Sequence, residues 1–134
     1  MKAPLKWKEI FKSLSHILSL VDKAYELNGK DRRLKRVKTM LTSSASNLTM
    51  RGLVSSEKLI SKGIPLGWRP VTPERLKQRL FSSILLIQLM QRDRGEIREP
   101  ELIVQIIGEI NRLRVQIEEC GVETNEWGRR LIEG

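Results

Sequence analysis

Six of the nine residues from Lys30 to Lys38 are basic: Lys30, Arg32, Arg33, Lys35, Arg36 and Lys38, interrupted by Asp31, Leu34 and Val37. Cations this dense suit a phosphate backbone, because each one neutralises a phosphate and releases a condensed counterion. Further along, Thr42, Ser43, Ser44, Ser46, Asn47 and Thr49 offer small hydroxyl and amide donors over which another backbone can come close. The same serines lower helix propensity and equally suit a frayed or broken helix. A second basic group, Arg75, Lys77 and Arg79, follows, with Arg51, Lys58, Lys62 and Arg69 between the two. These side chains are the candidate nucleic-acid ligands. Few Asn, Gln or Thr accompany the first cluster, so backbone tracking is expected rather than the reading of base edges.

Other chemistry has little to stand on. His16 is the only histidine and lies among serines and lysines, with no partner at metal-ligand or acid–base spacing. No glycine-rich phosphate loop follows a strand, and no Asp or Glu sits inside an apolar run where burial would raise its pKa. No catalytic residue, cofactor or metal is expected, and the chain reads as a non-enzyme. Cys120 is the sole cysteine, so no intramolecular disulfide forms, and without an apolar leader the expected location is the cytoplasm.

The 134 residues suit one domain, spanning 1–134, with a core that 4% aromatic content makes aliphatic. Net charge is +9 but unevenly spread: residues 1–80 hold 18 Lys and Arg against 6 Asp and Glu, and residues 81–134 hold 7 against 10. The excess favours an anionic partner for the first part.

The elements that must position these residues read as helices. Trp7, Ile10, Phe11, Leu14, Ile17, Leu18, Val21 and Tyr25 recur at three- and four-residue intervals, predicting a helix from about Leu5 to Leu27, ended by Asn28-Gly29. With Asp31 as N-cap, Leu34, Val37, Leu41, Ala45 and Leu48 form a narrow stripe on a second helix that leaves a broad basic face. A short helix capped by Ser55 or Ser56 is expected next, then a loop from Gly63 to Pro73 pinned by Ile64, Leu66, Trp68 and Val71. Trp68-Arg69 suits stacking on a base, although capping the core is favoured for the tryptophan.

Thr72, Pro73 and Glu74 open a helix reaching Gly95. Leu76, Leu80, Ile84 and Ile87 form one stripe on it, and Phe81, Leu85, Leu86 and Leu89 cover its other sides, so it is expected to be the central post around which the others pack. Its ten-residue apolar run, broken by two serines and a glutamine, falls short of the roughly 20 residues of a membrane span. Arg92 to Glu99 reads as a solvated turn.

Pro100 opens a last long helix whose Ile103, Ile106, Ile110, Leu113, Ile117 and Cys120 approach a heptad seam, broadened by Leu102, Ile107 and Val115. Gly108 beside it predicts a close crossing with a neighbour. Glu109 is expected to pair with Arg112 and Arg114 with Glu118. Gly121 ends the helix, and Thr124-Asn125-Glu126-Trp127 reads as a capped start that folds Trp127, Leu131 and Ile132 back. The fold class is all-α, a compact bundle of about four to five helices with short connections.

With its size, helical pattern and the basic segments Lys30 to Lys38 and Arg75 to Arg79, the chain resembles the small subunits of CRISPR effector complexes. The resemblance covers the whole chain. It implies a non-catalytic, sequence-independent RNA- or DNA-binding subunit of a ribonucleoprotein complex. Such subunits support the guide–target duplex and the displaced strand, and stack in several copies beside other protein subunits, away from membranes. A stand-alone DNA-binding regulator with a helix-turn-helix, or a helical protein–protein adaptor of phage or secretion machinery, are the alternatives.

Overall fold

The computed structural model describes residues 3–53 and 73–122, with side chains through residue 46 in the first segment. The expected helix at 55–62, the loop around Trp68 and the segment at 124–132 lie outside the described residues.

Helix α1, Trp7–Leu27, buries Ile10, Leu14, Ile17 and Val21 of the stripe that the spacing predicts, together with Ala24, while Trp7, Leu18 and Tyr25 are half-buried at its edges and Phe11 is exposed. It ends where the Asn28 N–H donates to the Ala24 carbonyl and the Lys30 N–H to that of Tyr25, with Gly29 at φ 65° in the left-handed region that glycine enters without steric cost. Asp31 then caps α2, Arg32–Leu53, by accepting the Arg33 N–H at 2.8 Å. Helix α3 runs Pro73–Asp93. Helix α4 runs Pro100–Cys120, with proline at its first position and the Gly121 N–H closing its last turn onto Ile117.

Side-chain pairs fix the directions. Lys38 meets Asp22, each about a turn and a half from the α1–α2 connection, so the two helices lie antiparallel as a hairpin. Arg33 reaches Asp93 while Arg79 reaches Ser44, which sets α3 antiparallel to α2. Lys77 with Glu118 at one end, and the short turn 94–99 at the other, do the same for α3 and α4. A backbone bond from the Leu5 N–H to the Gly121 carbonyl, 3.0 Å, ties the start of α1 to the end of α4 and closes the ring. Among the described residues the fold is therefore a four-helix, up-down-up-down bundle without sheet.

The core is aliphatic throughout: Leu34, Val37 and Leu41 of α2 and Leu76, Leu80 and Ile87 of α3 meet Ile103, Ile106 and Ile110 of α4 with no solvent exposure. Three expectations change. Helix α3 is one of four equal walls, not a central post, because Phe81, Leu85 and Leu89 remain exposed on its outer side. Gly108 is also exposed, and a Cβ there would meet nothing within 4 Å, so no close crossing requires it. Val115 likewise points outward instead of widening the seam. In each case one buried stripe was enough: four helices in a ring each show the core only one face.

Candidate nucleic-acid interface

Twisting α2 by about 100° per residue sends its basic residues in three directions. Arg32, Lys35 and Arg36 stand exposed on the outer side, and none of them meets a carboxylate among the described residues. Arg33 turns toward α3, donating to the Leu89 carbonyl at 2.9 Å and to Asp93 at 2.8 Å. Lys38 turns toward α1, where the Asp22 carboxylate at 2.5 Å holds its proton more tightly and its ammonium sits 5.5 Å from the Tyr25 ring centroid. The outer line continues through Thr39, Thr42, Ser43 and Ser46, all exposed. Arg32 and Ser46 are 14 positions apart on the helix, about 21 Å, which matches about six phosphates of one duplex strand.

Beside this line, Tyr25, Lys35, Lys38, Thr39, Thr42 and Ser43 border a shallow groove of about 480 Å³ between α1 and α2. Tyr25 belongs to the apolar stripe by spacing, yet it is only half-buried and forms the aromatic wall of the groove. The sequence signal was its place at the end of the stripe, three residues after Asp22. Ser44 departs from expectation in the opposite sense: it is fully buried, donates to the Met40 carbonyl and accepts from Arg79 at 2.7 Å. The hydroxyl run therefore has an inner member as well as outer ones, because the eleven-residue helix position from Arg33 repeats the α3-facing side.

The second basic group is committed to the fold. Lys77 lies between Glu118 of α4 and Glu74, and both raise its pKa. Arg79 is half-buried against α2, and burial, with Arg75 nearby, lowers its pKa. Arg75 is half-buried as well, and Lys30 is exposed in the α1–α2 turn at φ 56°. The side chain of Arg51 and residues Lys58, Lys62 and Arg69 lie outside the described residues. Glu118 thus pairs across helices with Lys77 rather than with Arg114, which stacks 5.8 Å over Phe81 and donates to Asn111; Glu109 does meet Arg112, at 4.0 Å.

These pairs carry a pH dependence. Asp93 is held below the usual carboxylate range chiefly by its hydrogen bond to Arg92, and Glu118 by its bond to Lys77. A depressed carboxylate stabilises the fold fully above its unfolded pKa of about 4 and loses that contribution as pH falls through its lower folded value. Thermal melts from about pH 5 to about pH 2 are expected to show a shallower decline for Asp93→Asn/Glu118→Gln than for the unmodified chain; parallel curves would remove these groups from the acid response.

Charge is partitioned by hairpin. Residues 3–46 hold 10 Lys and Arg against 4 Asp and Glu, whereas residues 73–122 hold 8 of each. The α1–α2 hairpin, which also exposes Lys8, Lys12 and Lys23, is the basic side of the bundle. No group of three His, Cys, Asp or Glu suited to a metal occurs among the described residues, and no helix there is long and apolar enough to cross a membrane. Compared with known proteins, the chain matches no family model, no curated protein and no solved structure.

Proposed function

We propose that the outer face of the α1–α2 hairpin tracks the phosphate backbone of a nucleic acid without reading its sequence, and that the protein serves as a non-catalytic subunit of a ribonucleoprotein assembly. The observation that carries this reading is the line of Arg32, Lys35 and Arg36, exposed, free of carboxylates among the described residues, and continued by Thr39, Thr42 and Ser43. Cations already satisfied by the fold gain little from a phosphate; these three exchange only water and counterions for it. Resemblance to the small subunits of CRISPR effector complexes supplies the kind of assembly, in which a backbone-tracking surface supports a guide–target duplex and a displaced strand.

The test is fluorescence anisotropy with single-stranded and duplex oligonucleotides of unrelated sequence over a salt series, for the unmodified chain and for Arg32→Ala/Lys35→Ala/Arg36→Ala. The triple variant is expected to bind roughly tenfold to a hundredfold more weakly, with a log–log salt slope shallower by about 2 to 3. Its melting temperature stays unchanged, since none of the three side chains supports the core. A discrete footprint on one sequence would favour a base-reading regulator. No binding to any oligonucleotide at about 150 mM salt would favour a protein adaptor whose basic side meets an acidic surface.

A further inference from the structure

The outer side of α3 carries three of the six large apolar side chains that are exposed among the described residues, and they stand in a row. Phe81 is 50% exposed, Leu85 44% and Leu89 39%, at successive four-residue intervals. Soluble surfaces scatter such residues singly, and a row of them marks a contact.

Charge along the same helix says what fits there. Glu74 and Arg92 are 18 residues apart, five whole turns, and so project on the same line of the helix about 27 Å from each other. Their side chains are 79% and 70% exposed; Glu74 shares Lys77 with Glu118, and Arg92 pairs with its chain neighbour Asp93, contacts worth little where the carboxylate or guanidinium is this open to water. Phe81 and Leu85 lie between them, flanked by Gln78 and Gln88. Each of these three pairs, Glu74 with Arg92, Gln78 with Gln88 and Phe81 with Leu85, has its midpoint at position 83. The face is therefore acidic at one end, basic at the other, amide at two matched points and apolar at the centre.

We infer that this face binds a second copy of the same chain, with the two α3 helices antiparallel across a two-fold axis over position 83. Phe81 then packs on the partner's Leu85, Gln78 meets the partner's Gln88, and Glu74 meets the partner's Arg92, each contact occurring twice as an isologous interface requires. A shallow crossing of about 20°, with axes roughly 8–10 Å apart, keeps both ends within reach of the long charged side chains. One helix face is small beside a standard interface of about 800 Å² per partner, so the dimer is weak, with a dissociation constant of about 10–100 µM. The basic α1–α2 hairpins stay uncovered, since the outer side of α3 is turned away from α2; on the α4 side Arg114 reaches over Phe81, 5.8 Å from its ring centroid, and borders the face.

Sedimentation equilibrium of the full chain tests this. The average mass is expected to rise from the 15.5 kDa of one chain toward twice that as concentration passes through the micromolar range. Glu74→Arg alone and Arg92→Glu alone each set like charges together twice and are expected to weaken the dimer at least about tenfold. Mixing the two variants restores opposite charges at every contact and is expected to produce a heterodimer of near-original affinity. Leu85→Ser, on the exposed face, removes the dimer while leaving the melting temperature unchanged. A chain that stays monomeric at every concentration overturns the proposal and gives the face to a different partner. A dimer that ignores the single charge reversals, or a mixture that fails to associate, overturns it as well.

Discussion

Replacing Asn28 by alanine is expected to lower the unfolding free energy by about 3 kcal/mol and the melting temperature by roughly 10 °C, measured by circular dichroism on heating. Asn28 is 1% exposed in the turn between α1 and α2. Its amide nitrogen donates to the Ala24 carbonyl at 3.0 Å and to the Arg98 carbonyl at 3.2 Å, and its oxygen accepts the Arg98 N–H at 2.8 Å. The side chain thus reads the backbone of the α3–α4 turn as a strand would, and joins the two hairpins at one end of the bundle. Arg94 completes the joint by donating to the Asn28 carbonyl and to Asp31. Alanine removes three bonds at once and leaves their partners without replacements in a place that water reaches poorly, which is why the loss exceeds that of one hydrogen bond. Asn28→Asp keeps only the acceptor and places a charge against two carbonyl oxygens, so it is expected to destabilise to a comparable degree. Asn111→Ala, on the exposed side of α4, is the control and is expected to change stability by less than about 0.5 kcal/mol. Equal effects at the two asparagines would show that the turns hold without this clamp.

Leu80→Ala and Phe81→Ala, one position apart on α3, are expected to differ by several fold in cost. Leu80 is fully buried among the aliphatic side chains of the core, and truncating it leaves a cavity in a close-packed interior, at about 3–4 kcal/mol. Phe81 is the larger side chain, yet half its surface is open, and its contact is the guanidinium of Arg114 at 5.8 Å. Its loss is expected to cost less than about 1 kcal/mol in dilute solution. Denaturant midpoints of the two variants check this directly. If α3 were enclosed on all sides, Phe81→Ala would be the more damaging of the two.

That comparison shows where the pattern of residues stops being informative. Periodicity in α1, α2 and α4 gave one apolar stripe each, and the middle of each stripe is the buried face, as at Ile10, Leu34 and Ile103, with Phe11 and Val115 at the margins exposed. In α3 two apolar arcs compete, and periodicity has no means of ranking them; Ser83 is buried and Leu85 exposed because the helices packed beside α3, not the local sequence, decide which arc faces inward. The basic cluster was legible as composition, but its sorting was not. Arg33 and Lys38 read like Arg32, Lys35 and Arg36 until Asp93 and Asp22, from other helices, come within reach.

The sequence by itself determined the all-α class, the helix limits at Asn28-Gly29, Asp31, Pro100 and Gly121, the aliphatic core and the location of the positive charge in the first part of the chain. These follow from local rules, since capping, glycine at positive φ and a 3.6-residue period act within a few residues. Only the tertiary structure decided that the ring closes through Leu5 and Gly121, that Asn28 holds the neighbouring turn, that Ser44 faces inward onto Arg79, and that α3 keeps an open apolar face. Each of these depends on partners dozens of residues away. Contacts between helices are chosen by the packing of the whole ring, and a single helix carries no record of which neighbour will cover it.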